Sequence, residues 1–272
     1  MKKTYEIKVE KEAISVDVIS EQSGLSKSLV KKLMTFGCVW QKSEGKKKEV
    51  RLRSHKRPLP KGTNITVYYD PKIIESKIDK EPIELFSSKA FGVWYKPQNW
   101  LSGGTLYGDK FSVLRFAEVK TGNKSFLVNR LDKEVSGLIV IAYSSKAAGE
   151  LSKIWSTPQI KKYYRALILG ELDKKLPYEI DFEIDGKESK TIIHDAKVID
   201  GNTLVKLEIL TGRKHQIRVH MEDIGYPIIG DPKYGEGNKN DSGIKLQACE
   251  ISLPSAKGKN ITVELSKDLY EF

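Results

Sequence analysis

Three short segments of this 272-residue chain carry side chains suited to covalent or acid–base chemistry. The first, Asn129-Arg130-Leu131-Asp132-Lys133-Glu134-Val135-Ser136-Gly137, sets a carboxylate in a turn just ahead of the apolar run Leu138 to Ala142. The second, Lys162-Tyr163-Tyr164-Arg165-Ala166, sets a tyrosine on a strand. The third, Thr211-Gly212-Arg213-Lys214-His215-Gln216-Ile217-Arg218-Val219-His220, opens a helix with basic residues and is followed by Gly225-Tyr226-Pro227-Ile228-Ile229-Gly230-Asp231. A carboxylate can attack an electrophilic carbon or take a proton, a tyrosine hydroxyl can assist a proton transfer, and a guanidinium can steady an anion. Taken singly, each segment has a plain explanation: an aspartate in a turn, a tyrosine on a strand, a basic helix start.

Other chemistries lose support by elimination. There is no Gly-x-x-x-x-Gly-Lys-Ser/Thr loop, no Gly-x-Gly-x-x-Gly after a strand, no Gly-x-Ser-x-Gly elbow and no His-Glu-x-x-His. His215 and His220 are five residues apart, about 140° around a helix, a poor arrangement for joint metal ligation. They read as hydrogen-bonding residues. Cys38 and Cys249 stand alone, without a partner at redox or metal-ligand spacing, and read as ordinary thiols of a reducing compartment. No apolar run approaches the ~20 residues that span a bilayer, and the start Met-Lys-Lys-Thr-Tyr-Glu lacks the apolar core of a secretory signal, so a soluble, cytoplasmic protein is expected.

The elements that must position the three segments are strands more often than helices. Strands are predicted at Gly92 to Tyr95, Leu138 to Ala142, Tyr163 to Leu169 and Leu204 to Leu210, the last with Val205, Leu207 and Ile209 alternating with Lys206 and Glu208. Helices are predicted at Ser145 to Trp155 and at His215 to Ile224, the latter closed by Gly225. Strand and helix do not alternate regularly, which favours an α+β fold with a mixed sheet over a doubly wound one. With 39% hydrophobic residues the chain can build a packed core.

The formal net charge of +11 is unevenly placed. Residues 1 to 80 hold 19 Lys+Arg against 10 Asp+Glu, whereas the rest holds 28 against 26. Such a basic stretch suits a nucleic acid partner; an anionic membrane surface fits less well, because no long basic amphipathic helix is present. Within it, Ala13 to Ser23 reads as a helix stopped by Gly24, and Ser26 as the N-cap of a second helix carrying Leu29, Val30, Leu33 and Met34. Strands follow at 38 to 41, 50 to 53 and 65 to 69. Lys27, Lys31, Lys32, Lys46, Lys47, Lys48, Arg51 and Arg53 are the candidate nucleic-acid contacts of this part. Residues 1 to 72 form one domain in this reading, 73 to 84 a charged linker with Pro82 in it, and 85 to 272 a second domain.

In their order and spacing the three segments resemble the RluA-type pseudouridine synthases, and residues 13 to 70 resemble the alpha-L RNA-binding motif, a pair that recurs together. The resemblance implies the α+β pseudouridine synthase fold, with a mixed, largely antiparallel sheet and a small N-terminal α/β module. It implies that Asp132 is the catalytic aspartate, Tyr164 an active-site tyrosine, Arg218 the basic partner of the aspartate, and Arg130 a residue that opens the RNA and holds the flipped nucleotide. Asn129 stands where the family usually has histidine, and Val135 where it usually has threonine. Arg213 and Asn129 are further candidates for RNA contact.

The chemistry so implied needs no cofactor or metal. Uridine becomes pseudouridine when the bond from ribose C1′ to N1 breaks, the uracil turns, and C1′ joins C5; no group is gained or lost. A carboxylate suits the cleavage as nucleophile at C1′, as stabiliser of a sugar cation or as base at C2′, and the residues do not choose among these. Arg218 would offset the desolvation of the carboxylate, Tyr164 would stack on the base and assist removal of the C5 proton, and Leu131, Ile217 and Val219 would keep water out. The expected partner is RNA, ribosomal RNA of the large subunit before transfer RNA, bound by a monomer. The competing reading is an RNA-binding assembly protein of the same fold without catalysis.

Overall fold

The computed structural model describes residues 1–240, 242–254 and 259–272. The chain divides into two compact units, Met1–Asp79 with Gly103–Phe116, and Lys80–Ser102 with Ala117–Phe272.

The first unit runs β1 (Lys3–Lys8), β2 (Ala13–Ile14), α1 (Ser15–Ser23), α2 (Lys27–Thr35), β3 (Val39–Lys42), β4 (Val50–Arg51), β5 (Pro58–Leu59), β6 (Asn64–Tyr69) and α3 (Pro71–Glu75). Strands β1, β6, β3 and β4 form an antiparallel sheet in that order, and β2 pairs with β5. Both expected helices form. Gly24 closes α1 in the left-handed region, and the Ser26 hydroxyl accepts from Leu29 N at 3.2 Å to cap α2. Val18, Ile19, Val30, Leu33 and Met34 pack against Val39, Ile65 and Val67.

Two features depart from the sequence division. Part of the stretch taken as a linker is structured: Asp70 caps α3 by accepting from Lys72 N, with Pro71 in the first turn, so the helix runs on into residues 73 to 75. A five-residue helix is too short to leave a periodic signature. The segment Gly103–Phe116 belongs to the first unit although the sequence reading puts it in the second domain, because its partners are distant in sequence.

The second unit comprises β7 (Ile83–Ser87), β8 (Phe91–Lys96), most of α4 (Val113–Thr121), β9 (Phe126–Leu127), β10 (Ser136–Ala142), α5 (Ser145–Ile154), β11 (Lys161–Ile168), β12 (Tyr178–Ile184), β13 (Lys187–Ile199), β14 (Asn202–Ile209), α6 (Gln216–Asp223), β15 (Leu246–Leu253) and β16 (Ile261–Glu264). The sheet order is β12-β13-β14-β11-β15-β10-β8-β7, with β16 beside β15 and β9 beside β10. Every pairing is antiparallel except β10 with β15. The α+β architecture with a mixed, largely antiparallel sheet is therefore as expected.

Alternation along the strands builds two cores. Ala166, Ile168, Val205, Leu207, Leu246 and Ala248 pack with Ile217 and Met221 of α6, while Val93, Tyr95, Leu138, Val140, Cys249 and Ile251 pack with Ala147 and Leu151 of α5. The parallel contact demands glycine at its start: Gly137 has φ +120°, and a Cβ there would lie 2.2 Å from Ala248 O. That close approach brings the end of the Asp132 loop beside β15.

Candidate active site

Asp132 lies in the loop between β9 and β10, and both of its chain neighbours are held. Ser102 Oγ donates to Leu131 O at 2.8 Å and accepts from Leu131 N at 2.9 Å. The Lys96 ammonium donates to Lys133 O at 3.2 Å, Trp100 O at 2.8 Å and Pro97 O at 3.1 Å, and Asn99 N also donates to Lys133 O. Burial pushes Lys96 down to about 7, against the pull of Glu134 and Asp132. Neither Lys96 nor Ser102 stands out in the sequence, since a lysine ending a strand is ordinarily a surface residue.

Arg218 projects from α6, which is fastened at its start by Gln216. The Gln216 amide oxygen accepts from Thr211 Oγ1 and Arg213 N, and its nitrogen donates to Lys190 O and Thr191 Oγ1. This accounts for glutamine after His215, which itself turns the chain into the helix at φ +56°. Arg218 Nη1 donates to Asp132 Oδ2 at 3.1 Å. Its Nε and Nη2 donate to the two oxygens of Asp231, each at 2.7 Å. Burial works against the Arg218 cation, but Asp231 and then Asp132 outweigh it and hold it above its ordinary value.

Asp231, which fixes Arg218 from behind, does not stand out in the sequence. It is 1% exposed, and its Oδ1 also accepts from Lys233 N and Tyr234 N. The signal available was the Gly-Asp at the end of the third segment, which reads as a simple turn.

His215 Nε2 lies 3.5 Å from Asp132 Oδ2 and its Nδ1 is 3.1 Å from Tyr234 Oη. Burial, with Arg218, Lys233 and Lys214 nearby, keeps the imidazole below its usual range despite Asp132, so it is neutral near pH 7. Arg218 thus donates to Oδ2 of Asp132, and His215 Nε2 stands near the same oxygen.

A cleft opens over the aspartate, and Arg130, Tyr164 and Arg213 line it. Leu131 and Ile217 contribute apolar wall as expected, but Val219 does not; Val135, Ile209 and Leu246 stand there instead. Val219 is one position past Arg218, about 100° around α6 from it. Tyr164 reaches the cleft from β11 beside an irregularity in which β15 carries one extra residue, Cys249. Burial, then Asp132, raises the Tyr164 hydroxyl well above the ordinary range, so it is protonated at neutral pH. Its neighbour Arg165 falls on the other face, stacked on Tyr270 at 3.8 Å, and takes no part in the cleft.

His220 turns away from the cleft, with Nε2 2.7 Å from Ser189 Oγ and its ring 4.4 Å from that of Phe182. It is fully buried and its Nδ1 has no partner among the described residues. Burial pushes it down to about 4, only partly opposed by Asp223 and Asp181. The unfolded chain accepts a proton near pH 6.5 that the fold refuses until about pH 4, so stability is full above pH 6.5 and falls between these values, by at most ~3 kcal/mol. Urea midpoints at pH 7.5 and 4.5 will show a smaller acid loss in His220→Gln than in the parent; equal losses would contradict this assignment.

The other RNA candidates fare differently. Asn129 Oδ1 accepts from Val140 N at 2.7 Å, binding its loop to β10. In the first unit Lys31, Lys32, Lys46, Lys47 and Lys48 are exposed, and Lys27 pairs with Asp17 at 2.7 Å. Arg51 and Arg53 do not stand free as expected: both pair with Asp109. Sequence spacing conceals this because Asp109 is more than fifty residues away.

The family model for RNA pseudouridylate synthase matches residues 90–223, which include Asp132, Tyr164 and Arg218. An RNA pseudouridine synthase of Aquifex aeolicus is 30% identical over 85% of this chain and 79% of its own length. The ribosomal large subunit pseudouridine synthase D of Nitrosomonas europaea is 34% identical over 43% of this chain and 37% of its own length. The solved structure of human RNA pseudouridylate synthase domain containing 1 superposes with a TM-score of 0.58 at 21% identity, covering 71% of this chain and 86% of that one, a likeness of fold.

Proposed function

The chain belongs to the RluA-type RNA pseudouridine synthases, isomerases that act on RNA, and from that premise we propose that it modifies uridine in large-subunit ribosomal RNA, with Asp132 as its catalytic carboxylate. The observation that carries the site assignment is the Asp231–Arg218–Asp132 chain: a buried guanidinium fixed from behind by one carboxylate and offered to a second at the edge of a cleft. A purely structural ion pair needs no second, partly exposed carboxylate.

In this reading Oδ1 of Asp132, the oxygen opposite the one that accepts from Arg218, meets the ribose, at C1′ as nucleophile or at C2′ as base. Arg218 holds Oδ2 so that the carboxylate does not swing as the glycosidic bond breaks. The freed uracil turns between the Tyr164 ring and the apolar wall of Leu131, Val135, Ile209, Ile217 and Leu246, which exclude water while C5 meets C1′. Because the Tyr164 hydroxyl starts protonated, it takes part in loss of the C5 proton by hydrogen-bonded relay rather than as a standing phenolate. Exposed Arg130, two residues before the aspartate, occupies the space left by the flipped base.

The first unit is the RNA grip in this proposal, working in a cytoplasmic monomer through exposed lysines and backbone phosphates. The name of the Nitrosomonas relative and the size of the grip favour ribosomal RNA over transfer RNA. Mapping pseudouridine by carbodiimide-dependent primer-extension stops in total RNA, with and without the gene, tests the whole reading. A missing site in large-subunit ribosomal RNA is expected; a missing site in transfer RNA would move the substrate, and no missing site would overturn the assignment.

A further inference from the structure

Several basic side chains of the first unit have partners inside it. Arg51 Nε is 3.2 Å from Asp109 Oδ2, and its Nη2 donates to Thr105 O at 2.7 Å while Nη1 donates to Gly37 O. The Arg51 guanidinium also lies 4.3 Å from the centre of the Trp40 ring, and Arg53 donates to the same Asp109 oxygen. More contacts bind the 103–116 segment to the strand-bearing part of the unit. Trp40 Nε1 donates to Leu106 O at 3.0 Å, Cys38 Sγ to Tyr107 O at 3.0 Å, and Asp109 N to Phe36 O at 2.9 Å. The approach is so close that a Cβ on Gly37 would sit 2.5 Å from Asp109 Oδ1. Burial pushes the Cys38 thiol up to about 12, which suits a packed donor rather than a reactive group.

What this docking delivers is the next residue. Lys110 is exposed, with its ammonium 4.3 Å from the centre of the Phe36 ring and 4.6 Å from that of Phe111. Lys32, in the last turn of α2, places its own ammonium 5.6 Å from the centre of the same Phe36 ring. Two cations thus share one aromatic ring at the C-terminal end of a helix, where ring face and helix dipole both favour positive charge. Among the described residues neither lysine has a carboxylate partner. Burial and the charge of Lys32 both lower the affinity of Lys110 for its proton, the expected cost of holding two like charges close. An anion beside both would offset the repulsion, the second of these two causes.

We propose that Lys32 and Lys110, set around Phe36, bind a backbone phosphate of the RNA substrate, and that Asp109, gripped by Arg51 and Arg53, is a positioning residue that presents Lys110. This deepens the RNA reading above and rests on it. It also exchanges roles among the basic residues: two arginines with the look of RNA contacts are internal anchors, and a lysine far along the chain joins the binding face.

Fluorescence anisotropy with a fluorescein-labelled, uridine-containing stem-loop RNA, titrated with the full-length protein over a range of KCl concentrations, tests this. Lys110→Ala and Lys32→Ala are each expected to weaken binding roughly three- to tenfold and to lower the slope of log affinity against log salt by about one, with Lys110→Arg restoring both. Asp109→Asn separates the two roles of the arginines. Arginines that met RNA would bind it better once released, whereas positioning residues would make Asp109→Asn bind more weakly, as Lys110→Ala does. Thermal melts by circular dichroism confirm that the exposed lysine variants keep the parent fold. Parent-like affinity and salt slope in Lys110→Ala would overturn this inference alone. A parent protein without salt-dependent RNA binding would overturn the RNA reading along with it.

Discussion

An Asp132→Asn protein is expected to fold as the parent does, yet to lose pseudouridine formation by at least ~10⁴-fold. The amide has the shape of the carboxylate and can still accept from Arg218 Nη1, while the guanidinium keeps both bonds to Asp231. The side chain is partly exposed, at 31%, so loss of its charge costs the fold no more than ~2 kcal/mol. An amide can neither displace a base at C1′, nor offset a sugar cation with a negative charge, nor take a proton from C2′, so every route open to Asp132 is closed by one substitution. Tritium release from RNA carrying [5-³H]uridine, measured in single turnover, reads the chemical step. A rate within tenfold of the parent would remove Asp132 from the mechanism.

Asp231→Ala carries the largest expected effect on stability. Arg218 is 3% exposed, and the substitution leaves its buried guanidinium facing a gap on the side where two 2.7 Å bonds had been. Removing one partner of a buried, doubly bonded pair costs ~3–5 kcal/mol, far more than the net worth of the pair. Lys233 N and Tyr234 N lose their acceptor as well. Urea unfolding should show this loss directly, and Arg218→Met made in the same background should recover part of it, since the stranded charge is then gone. The double variant remains inactive in this account, because nothing then steadies Asp132. A single variant within ~1 kcal/mol of the parent would mean that Asp231 is not the anchor of the site.

Much of the fold was legible in the chain. Alternation in 204 to 210 and the apolar run at 138 to 142 mark two strands that the structure contains as β14 and β10, and the glycine stops at 24 and 225 close α1 and α6. Strand β1 and the hairpin of β12 and β13 escaped notice because they are rich in charge: Lys3–Lys8 reads Lys-Thr-Tyr-Glu-Ile-Lys, and its pairing with β6 compensates for weak local preference. Two lysines, Lys96 and Lys110, differ sharply in burial. Lys96 is wholly buried among carbonyls and Lys110 sits out over a ring, yet in the sequence both are one more lysine among many.

The sequence by itself determined the reaction class, because the order and spacing of Arg-Leu-Asp, Lys-x-Tyr-x-Ala and His-Gln-Ile-Arg are a property of the chain alone. It also determined the uneven charge that points to RNA. Tertiary structure decided which charges are available to use. Asp109 takes Arg51 and Arg53, Asp231 takes most of Arg218, and what remains of Arg218 is turned toward Asp132. The physical reason is the short reach of these forces: a hydrogen bond or buried ion pair acts over about 3 Å, so its partners are set by which strands and loops the fold brings side by side, not by their separation along the chain.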